Sequence, residues 1–199
     1  FLKYAIDGEK NGEKCELVEF LVKNGVKIGK YDLISACSGK NLKMVEFLLE
    51  NSSNITHNDI NEAFVRVTKY EISKLLLNYR ADINYNNGAP IIHASMLENW
   101  KILEFLIEKG ADVNAQNGIP LLNTSIDGGY NATRVLLEGG ADVHAMDDLA
   151  LINAAKNIYF GGGVIKLLLR YGANPHAQND IILKNAIKNN DSQAIKFWS

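Results

Sequence analysis

The sequence predicts an all-α solenoid of about seven helix-turn-helix repeats. One short phrase recurs along the chain: EKGADVN at 108–114, EGGADVH at 138–144 and RYGANPH at 170–176. Each copy follows a stretch whose apolar residues recur at helical spacing. Equivalent turn positions lie 27, 28, 30, 30 and 32 residues apart, at Gly25, Ser52, Arg80, Gly110, Gly140 and Gly172. A period near thirty residues is typical of repeat architectures, in which each unit stacks on its neighbours.

The second helix of each repeat is predicted from its apolar stripe and from the turn that ends it. In ILEFLIEKG, at 102–110, apolar residues stand at i, i+3 and i+4, which gives a helix one buried face. Glycine at the end of such a helix adopts the left-handed conformation without a Cβ penalty. Ser52 and Arg80 replace this glycine, so we expect their turns to be strained or differently closed.

The first helix of each repeat is predicted from a shorter apolar segment such as PIIHASML, at 90–97. Pro90 and Pro120 belong in the first turn of their helices, where a missing N–H costs nothing. Aspartates near the other starts are expected as caps or as favourable charges at the positive helix end: Asp32, Asp59, Asp148 and Asp180.

These turns and helices resemble the ankyrin repeat, whose second helix and turn read roughly V-V-x-L-L-L-x-x-G-A-D-V-N. Residues 102–114 match that pattern closely, and the resemblance extends over essentially the whole chain. It implies one array over 1–199, with units at about 1–27, 28–54, 55–82, 83–112, 113–142, 143–174 and a truncated 175–199. The short, Asn- and Ile-rich repeats are similar to the ankyrin arrays of large DNA viruses.

Two departures from the ankyrin pattern affect the loops and the first helices. The family's T-P-L-H opening is largely lost, and Ile34, Ile92 and Leu122 are among the residues that stand where its His would be. The loop before each first helix is also shorter than in the family. We therefore expect β-hairpin fingers that are short or missing.

Composition limits the partners and the compartment. The net charge of −2 and pI of about 6.1 argue against a nucleic-acid partner, which needs a basic face. No apolar run approaches the roughly 18–20 residues of a membrane span. Cys15 and Cys37 are the only cysteines, expected as buried thiols of a reducing, cytoplasmic compartment. Because the sequence starts at Phe1 and stops inside a helical pattern, we expect a piece of a longer chain.

No motif predicts catalysis, a cofactor, a small-molecule substrate or a metal site. The run Gly161–Gly163 lacks the Lys-Ser/Thr pair of a phosphate-binding loop and is expected as a flexible turn between helices. His144 and His176 share one slot in adjacent repeats, but stacked helices lie roughly 8–10 Å apart, too far for one zinc ion. The resemblance implies that this slot binds the backbone of its own loop. No serine or cysteine has a histidine at a facing position, so we expect no enzyme.

The surface remains as the candidate site. In an ankyrin-like stack, loop tips and outward positions of the first helices form one concave face. The candidate partner-binding residues are Lys30, Tyr31, Ser35, His57, Asn86, Asn87, His93, Gln116, Asn117, Asn123, Asp147, Asn153, Tyr159, Phe160 and Asn185. Amides both donate and accept hydrogen bonds, which suits a protein surface, although genomic codon bias would also enrich asparagine.

The resulting hypothesis is a non-catalytic scaffold or adaptor that binds a protein partner, a host protein if the viral similarity holds. The alternative is a structural spacer within a larger enzyme or virion protein. The resemblance also implies possible substrates for an asparaginyl hydroxylase, which recognises Leu, five residues, acid, apolar residue, then Asn or His. That spacing places the modified residues at Asn84, Asn114 and His144.

Overall fold

A computed structural model describes residues 2–8, 16–126, 129–156 and 158–199 of the chain. The described residues form fourteen helices and no strand, which confirms the all-α prediction with its missing hairpin fingers. The helices are α1 Leu2–Gly8, α2 Glu16–Lys23, α3 Lys30–Ser38, α4 Leu42–Asn51, α5 His57–Val65, α6 Tyr70–Asn78, α7 Tyr85–Met96, α8 Trp100–Glu108, α9 Ala115–Ile126, α10 Tyr130–Glu138, α11 Ala145–Ala155, α12 Ile158–Arg170, α13 Ala177–Lys188 and α14 Ser192–Trp198.

The helices group into two compact units, residues 1–93 and 94–199. In the first unit, α3 packs between α1 and α5, and α4 packs on α6. In the second unit, α11 packs between α9 and α13, while α10 contacts both α8 and α12. Odd-numbered first helices and even-numbered second helices thus form separate layers within each unit. The single array over 1–199 stays a prediction.

The apolar stripes supply the core of each unit. Fully buried side chains lie at repeat-equivalent positions of the second helices: Leu48, Leu76, Leu106, Leu136 and Leu168. Partners on the first helices are equally buried, as at Leu33, Leu121 and Leu151. Burying one leucine contributes roughly 1.5–3 kcal/mol, so these rows are the main source of stability in the layers.

The recurring glycine ends the second helix in the left-handed conformation. Gly110 has φ of +91°, and its N–H donates to the carbonyl of Ile107 at 3.0 Å. The N–H of Ala111 donates to the carbonyl of Leu106 at 2.9 Å, which completes a Schellman turn. The same pair of bonds recurs at Gly140 and Gly172, so the predicted role of the glycine is confirmed.

The two repeats without this glycine differ as expected. Arg80 keeps the turn but is held at φ of +63°, where a Cβ is strained. Ser52 instead is extended, with φ of −107°, and its hydroxyl oxygen accepts the N–H groups of Asn54 and Ile55, both at 3.2 Å. The turn at Arg80 is therefore strained, and the turn at Ser52 is closed by a side chain.

Replacing Arg80 with glycine should stabilise the protein by up to about 1 kcal/mol, because the left-handed penalty of the Cβ disappears. Equilibrium urea unfolding of the two proteins measures the difference. Ser52→Gly is the matched control and should not stabilise, because it removes the hydroxyl that closes the other turn. A loss of stability in Arg80→Gly would contradict this account of the turn.

The loops that enter α7, α9, α11 and α13 share a second left-handed element. Three consecutive residues at the start of each have positive φ, so the regular helix begins only after them. Pro90 and Pro120 follow these triplets in the first regular turn, as predicted. The triplets are Asn86-Asn87-Gly88, Gln116-Asn117-Gly118, Met146-Asp147-Asp148 and Gln178-Asn179-Asp180.

One local prediction is wrong. Helix α12 starts at Ile158, so Gly162 and Gly163 lie inside the helix and do not form a turn between helices. Glycine only lowers helix propensity, and the buried stripe of Val164, Ile165 and Leu168 anchors the helix that Gly162 and Gly163 belong to. Along the described ranges, no helix has the combined length and apolarity that crossing a membrane requires.

Cys37 is a fully buried free thiol, whereas Cys15 lies outside the described residues. Burial raises the pKa of the Cys37 thiol to about 12, so the reactive thiolate is almost absent near neutral pH. In a Cys15→Ser variant, we expect iodoacetamide at pH 8 to leave the folded protein unmodified. Intact-mass spectrometry in buffer and in urea measures this. Labelling of the folded protein at the rate of free glutathione would contradict the burial.

Candidate functional site

The first unit contains an open groove lined by the start of α3, the end of α5 and the start of α7. The groove has a volume of about 330 Å³, at the lower end of the range for ligand pockets. A cavity of this size accommodates one or two side chains of a larger partner. Its lining residues are Lys30, Tyr31, Ile34, Glu62, Val65, Arg66, Tyr85, Asn86 and Ala89.

Caps fix the first turns of α3 and α5, two of the helices that line this groove. The hydroxyl of Thr56 accepts the N–H of Asp59 at 3.2 Å, and the Asp59 carboxylate accepts the N–H of Thr56 at 2.9 Å. Hydrogen bonding from Thr56 lowers the pKa of Asp59, so this cap stays ionised. At the preceding repeat, the Asp32 carboxylate accepts the N–H of Gly29 at 2.9 Å. These caps hold the first turns of α3 and α5 in place.

A chain of side-chain hydrogen bonds connects three repeats across the groove. The Glu62 carboxylate receives Lys30 Nζ at 3.3 Å on one oxygen and Asn58 Nδ2 at 3.0 Å on the other. The Tyr85 hydroxyl donates to Asn58 Oδ1 at 3.0 Å. The hydrogen bond to Glu62 raises the pKa of Lys30, which also lies 5.2 Å from the centre of the Tyr31 ring. The groove wall is thus fixed before any partner arrives.

Two further polar side chains of the first unit, Arg66 and His93, have no such partner among the described residues. Arg66 is exposed at the end of α5 and has no carboxylate within 4.0 Å among the described residues. His93 is half-buried, and its Nδ1 has no hydrogen-bond partner in the described part of the chain. Burial, assisted by the charge of Arg66, lowers the pKa of His93, so its ring is neutral at pH 7.

Five of the candidates lie on the left-handed triplets. Asn86, Asn87, Gln116, Asn117 and Asp147 all have positive φ and exposed side chains. Asparagine and aspartate tolerate this conformation better than other residues with a Cβ. The amide enrichment at the tips therefore has a backbone cause, in addition to any binding role.

Among the helical candidates, one is misplaced. Ser35 is only 9% exposed, so the prediction that it faces outward is wrong; it lies on the side of α3 that packs on the neighbouring helices. Tyr31 is 67% exposed, and His57 is also exposed at the first turn of α5. The side chains of Tyr159 and Phe160 lie outside the described residues.

The helical candidates of the second unit, Asn123, Asn153 and Asn185, are half-buried, and the first two are already hydrogen-bonded to neighbours. Asn123 Nδ2 donates to Ser95 Oγ at 2.9 Å, and Asn153 Oδ1 accepts from Lys156 Nζ at 2.7 Å. Asn185 lines a separate cavity of about 220 Å³, which Trp198 also lines. The structure thus brings Lys30, Tyr31 and Asn86 together in one groove. Asn123, Asn153 and Asn185 do not line it.

The slot shared by Asn114, His144 and His176 does not bind the backbone of its own loop as the resemblance implied. Asn114 Oδ1 accepts the N–H of Asp142, in the next repeat, at 2.8 Å. His144 Nδ1 lies 3.1 Å from a carboxylate oxygen of Asp148 in its own repeat. Asp148 then accepts the N–H of Asn174, in the following repeat, at 2.8 Å. The bond to the next repeat is therefore made by an amide, Asn114, in one repeat and by a carboxylate, Asp148, in the repeat that follows it.

Sequence reasoning missed Arg66 and Tyr85, which both line the groove. Arg66 follows the last turn of α5, outside the periodic positions that define the first-helix face. Tyr85 precedes the Asn86-Asn87 pair and signals a binding role only through its aromatic type. Both residues differ from the amide-rich loops around them, Arg66 as a cation and Tyr85 as an aromatic ring. This contrast is the sequence signal that could have indicated them.

Comparison with known proteins identifies one segment. The family model of the ankyrin repeat matches residues 86–118. This segment begins with the triplet Asn86-Asn87-Gly88 and ends with the next triplet, Gln116-Asn117-Gly118. This match confirms the resemblance for that repeat. No curated protein matches the chain. Ankyrin repeats generally mediate protein–protein interaction.

Proposed function

Because the chain carries an ankyrin repeat, we propose that it is a non-catalytic scaffold that binds a protein partner through the groove of its first unit. The observation that carries the proposal is the hydrogen-bonded wall formed by Lys30, Glu62 and Tyr85. A wall fixed in advance loses little conformational entropy on binding, which favours affinity. The viral similarity extends the proposal to a host protein of the cytoplasm as partner.

Aromatic groups make this groove a better contact site than the amide positions of the second unit. Tyr31 offers a largely exposed ring at its rim, and Tyr85 a ring held by its hydroxyl. Tyrosine is enriched among the residues that dominate binding energy, since it buries a large area with little loss of rotamer freedom. Asn123 and Asn153, in contrast, would have to exchange existing hydrogen bonds for new ones.

Affinity capture from eukaryotic cell lysate, followed by quantitative mass spectrometry, tests the proposal. The wild-type chain is compared with Tyr31→Ala/Asn86→Ala and with Tyr79→Ala. Tyr79 directly follows α6 and is also exposed, so it controls for the loss of a surface tyrosine outside the groove. We expect partners that the double variant loses and the control retains. Equal capture by all three would move the site elsewhere, and no capture would favour the spacer alternative.

A further inference from the structure

The groove has more positively than negatively charged lining residues, and this excess determines what kind of peptide segment fits it. Its charged lining residues are Lys30, Glu62 and Arg66, which give the groove a formal net charge of +1. Lys30 and Glu62 neutralise each other at 3.3 Å. Arg66 is left as the one lining cation of this groove with no carboxylate within 4.0 Å in the described ranges. Arg66 therefore supplies the positive charge of the groove that is not neutralised.

Glu62 is a poor site for a basic partner. Its carboxylate oxygens already accept hydrogen bonds from Lys30 and from Asn58, and Lys30 neutralises its charge. A lysine or arginine of a partner would have to share this carboxylate with Lys30 and would also meet the positive charge of Arg66. A carboxylate would instead find a planar guanidinium that can bind both of its oxygens.

The groove also exposes apolar atoms beside that cation. Ile34, Val65 and Ala89 are half-buried and line the groove, with the Tyr31 ring at its rim. A small apolar side chain covers such a surface favourably, at about 25 cal/mol for each Å² removed from water. The complementary segment therefore pairs an acidic residue with an adjacent apolar one.

We propose that the groove of residues 1–93 recognises an acidic peptide segment in which an Asp or Glu, bound by Arg66, stands next to a small apolar residue. This proposal rests on the proposed function and specifies the chemistry of its partner. Arg66 sets the preference for charge, and the fixed wall of Lys30, Glu62 and Tyr85 positions the peptide. Such an exposed ion pair is weakened by salt, so binding decreases as ionic strength rises.

Selection from a displayed library of random twelve-residue peptides tests this preference. The full chain is immobilised as wild type, as Arg66→Glu and as Lys74→Glu. Lys74 is exposed on α6 and does not line the groove, so its variant carries the same change in net charge elsewhere. We expect the wild-type and Lys74→Glu pools to be enriched in Asp or Glu beside Val, Leu or Ala, and the Arg66→Glu pool to lose this enrichment.

A selected peptide with a fluorescein label then gives affinities by anisotropy. We expect Arg66→Glu to bind about five- to tenfold more weakly than wild type, and Lys74→Glu to bind within twofold of it. Circular dichroism confirms that each variant is folded. Equal acidic enrichment on Arg66→Glu, enrichment of basic peptides, or no enrichment on wild type would each overturn the inference. Lysate partners that depend on Tyr31 would in those cases still support the proposed function.

Discussion

Replacing Gly118 with alanine should destabilise the second unit by about 3 kcal/mol. Gly118 has φ of +87°, where a Cβ costs about 1–2 kcal/mol. That Cβ would also lie 2.5 Å from Cβ of Ala145, in the neighbouring repeat, so the two first helices would have to move apart. Forcing extra volume into a packed contact costs typically 1–3 kcal/mol. The two effects act together because one atom causes both.

Gly140→Ala is the matched control for this prediction. Gly140 also has a left-handed backbone, with φ of +91°, but nothing lies within 4 Å of the Cβ it would gain. We therefore expect only the conformational part of the cost, about 1–2 kcal/mol. Urea unfolding of the three proteins gives both differences. If the two variants lose equal stability, the close approach at Gly118 is not what requires glycine there.

Replacing Asp148 with alanine should destabilise the second unit by about 2 kcal/mol. Asp148 is 3% exposed, and its carboxylate accepts the N–H of Asn174 at 2.8 Å while contacting His144 at 3.1 Å. Loss of a hydrogen bond to a charged group costs about 1.5–3 kcal/mol. Asp148→Asn retains an oxygen acceptor and should recover part of the loss.

The Asp180→Ala variant distinguishes the contribution of the hydrogen bond to Asn174 from that of the ion pair with histidine. Asp180 occupies the same position of its triplet, with φ of +59°, and its carboxylate lies 2.6 Å from His176 Nδ1. Its side chain is 46% exposed, and exposed ion pairs contribute at most about 1 kcal/mol. Thermal or urea unfolding should thus show a clearly smaller effect than for Asp148→Ala, although the distance to histidine is shorter. The reverse order would mean that the ion pair, and not the bond to Asn174, supplies the stability.

The repeats were predictable because their signals are local. A left-handed glycine and an apolar stripe each act within one helix turn, so Gly110 and Leu106 have the same roles in the structure as in the sequence pattern. The strained turn at Arg80 and the differently closed turn at Ser52 were predictable for the same reason. At Gly162 the local signal failed, because glycine only weakens a helix and packing of the neighbouring stripe decides.

The groove was only partly predictable, because it depends on contacts between residues about thirty positions apart. Tyr31 and Asn86 were found from the repeat alignment. The bonds that Glu62 and Asn58 make across the groove follow from the stacking of three repeats, which no single repeat encodes. Ser35 shows the converse, since its alignment predicted an outward residue and the packing of α3 buries it.

The exchange of an amide for a carboxylate between repeats restricts how this gene could recombine. Asn114 is followed four positions later by Gly118, and His144 by Asp148, and only one member of each pair reaches the next repeat. A crossover between the two positions would join His to Gly, and the new repeat would lose its bond to the following one. Duplication or shuffling would therefore preserve the array only where the breakpoint leaves each pair intact.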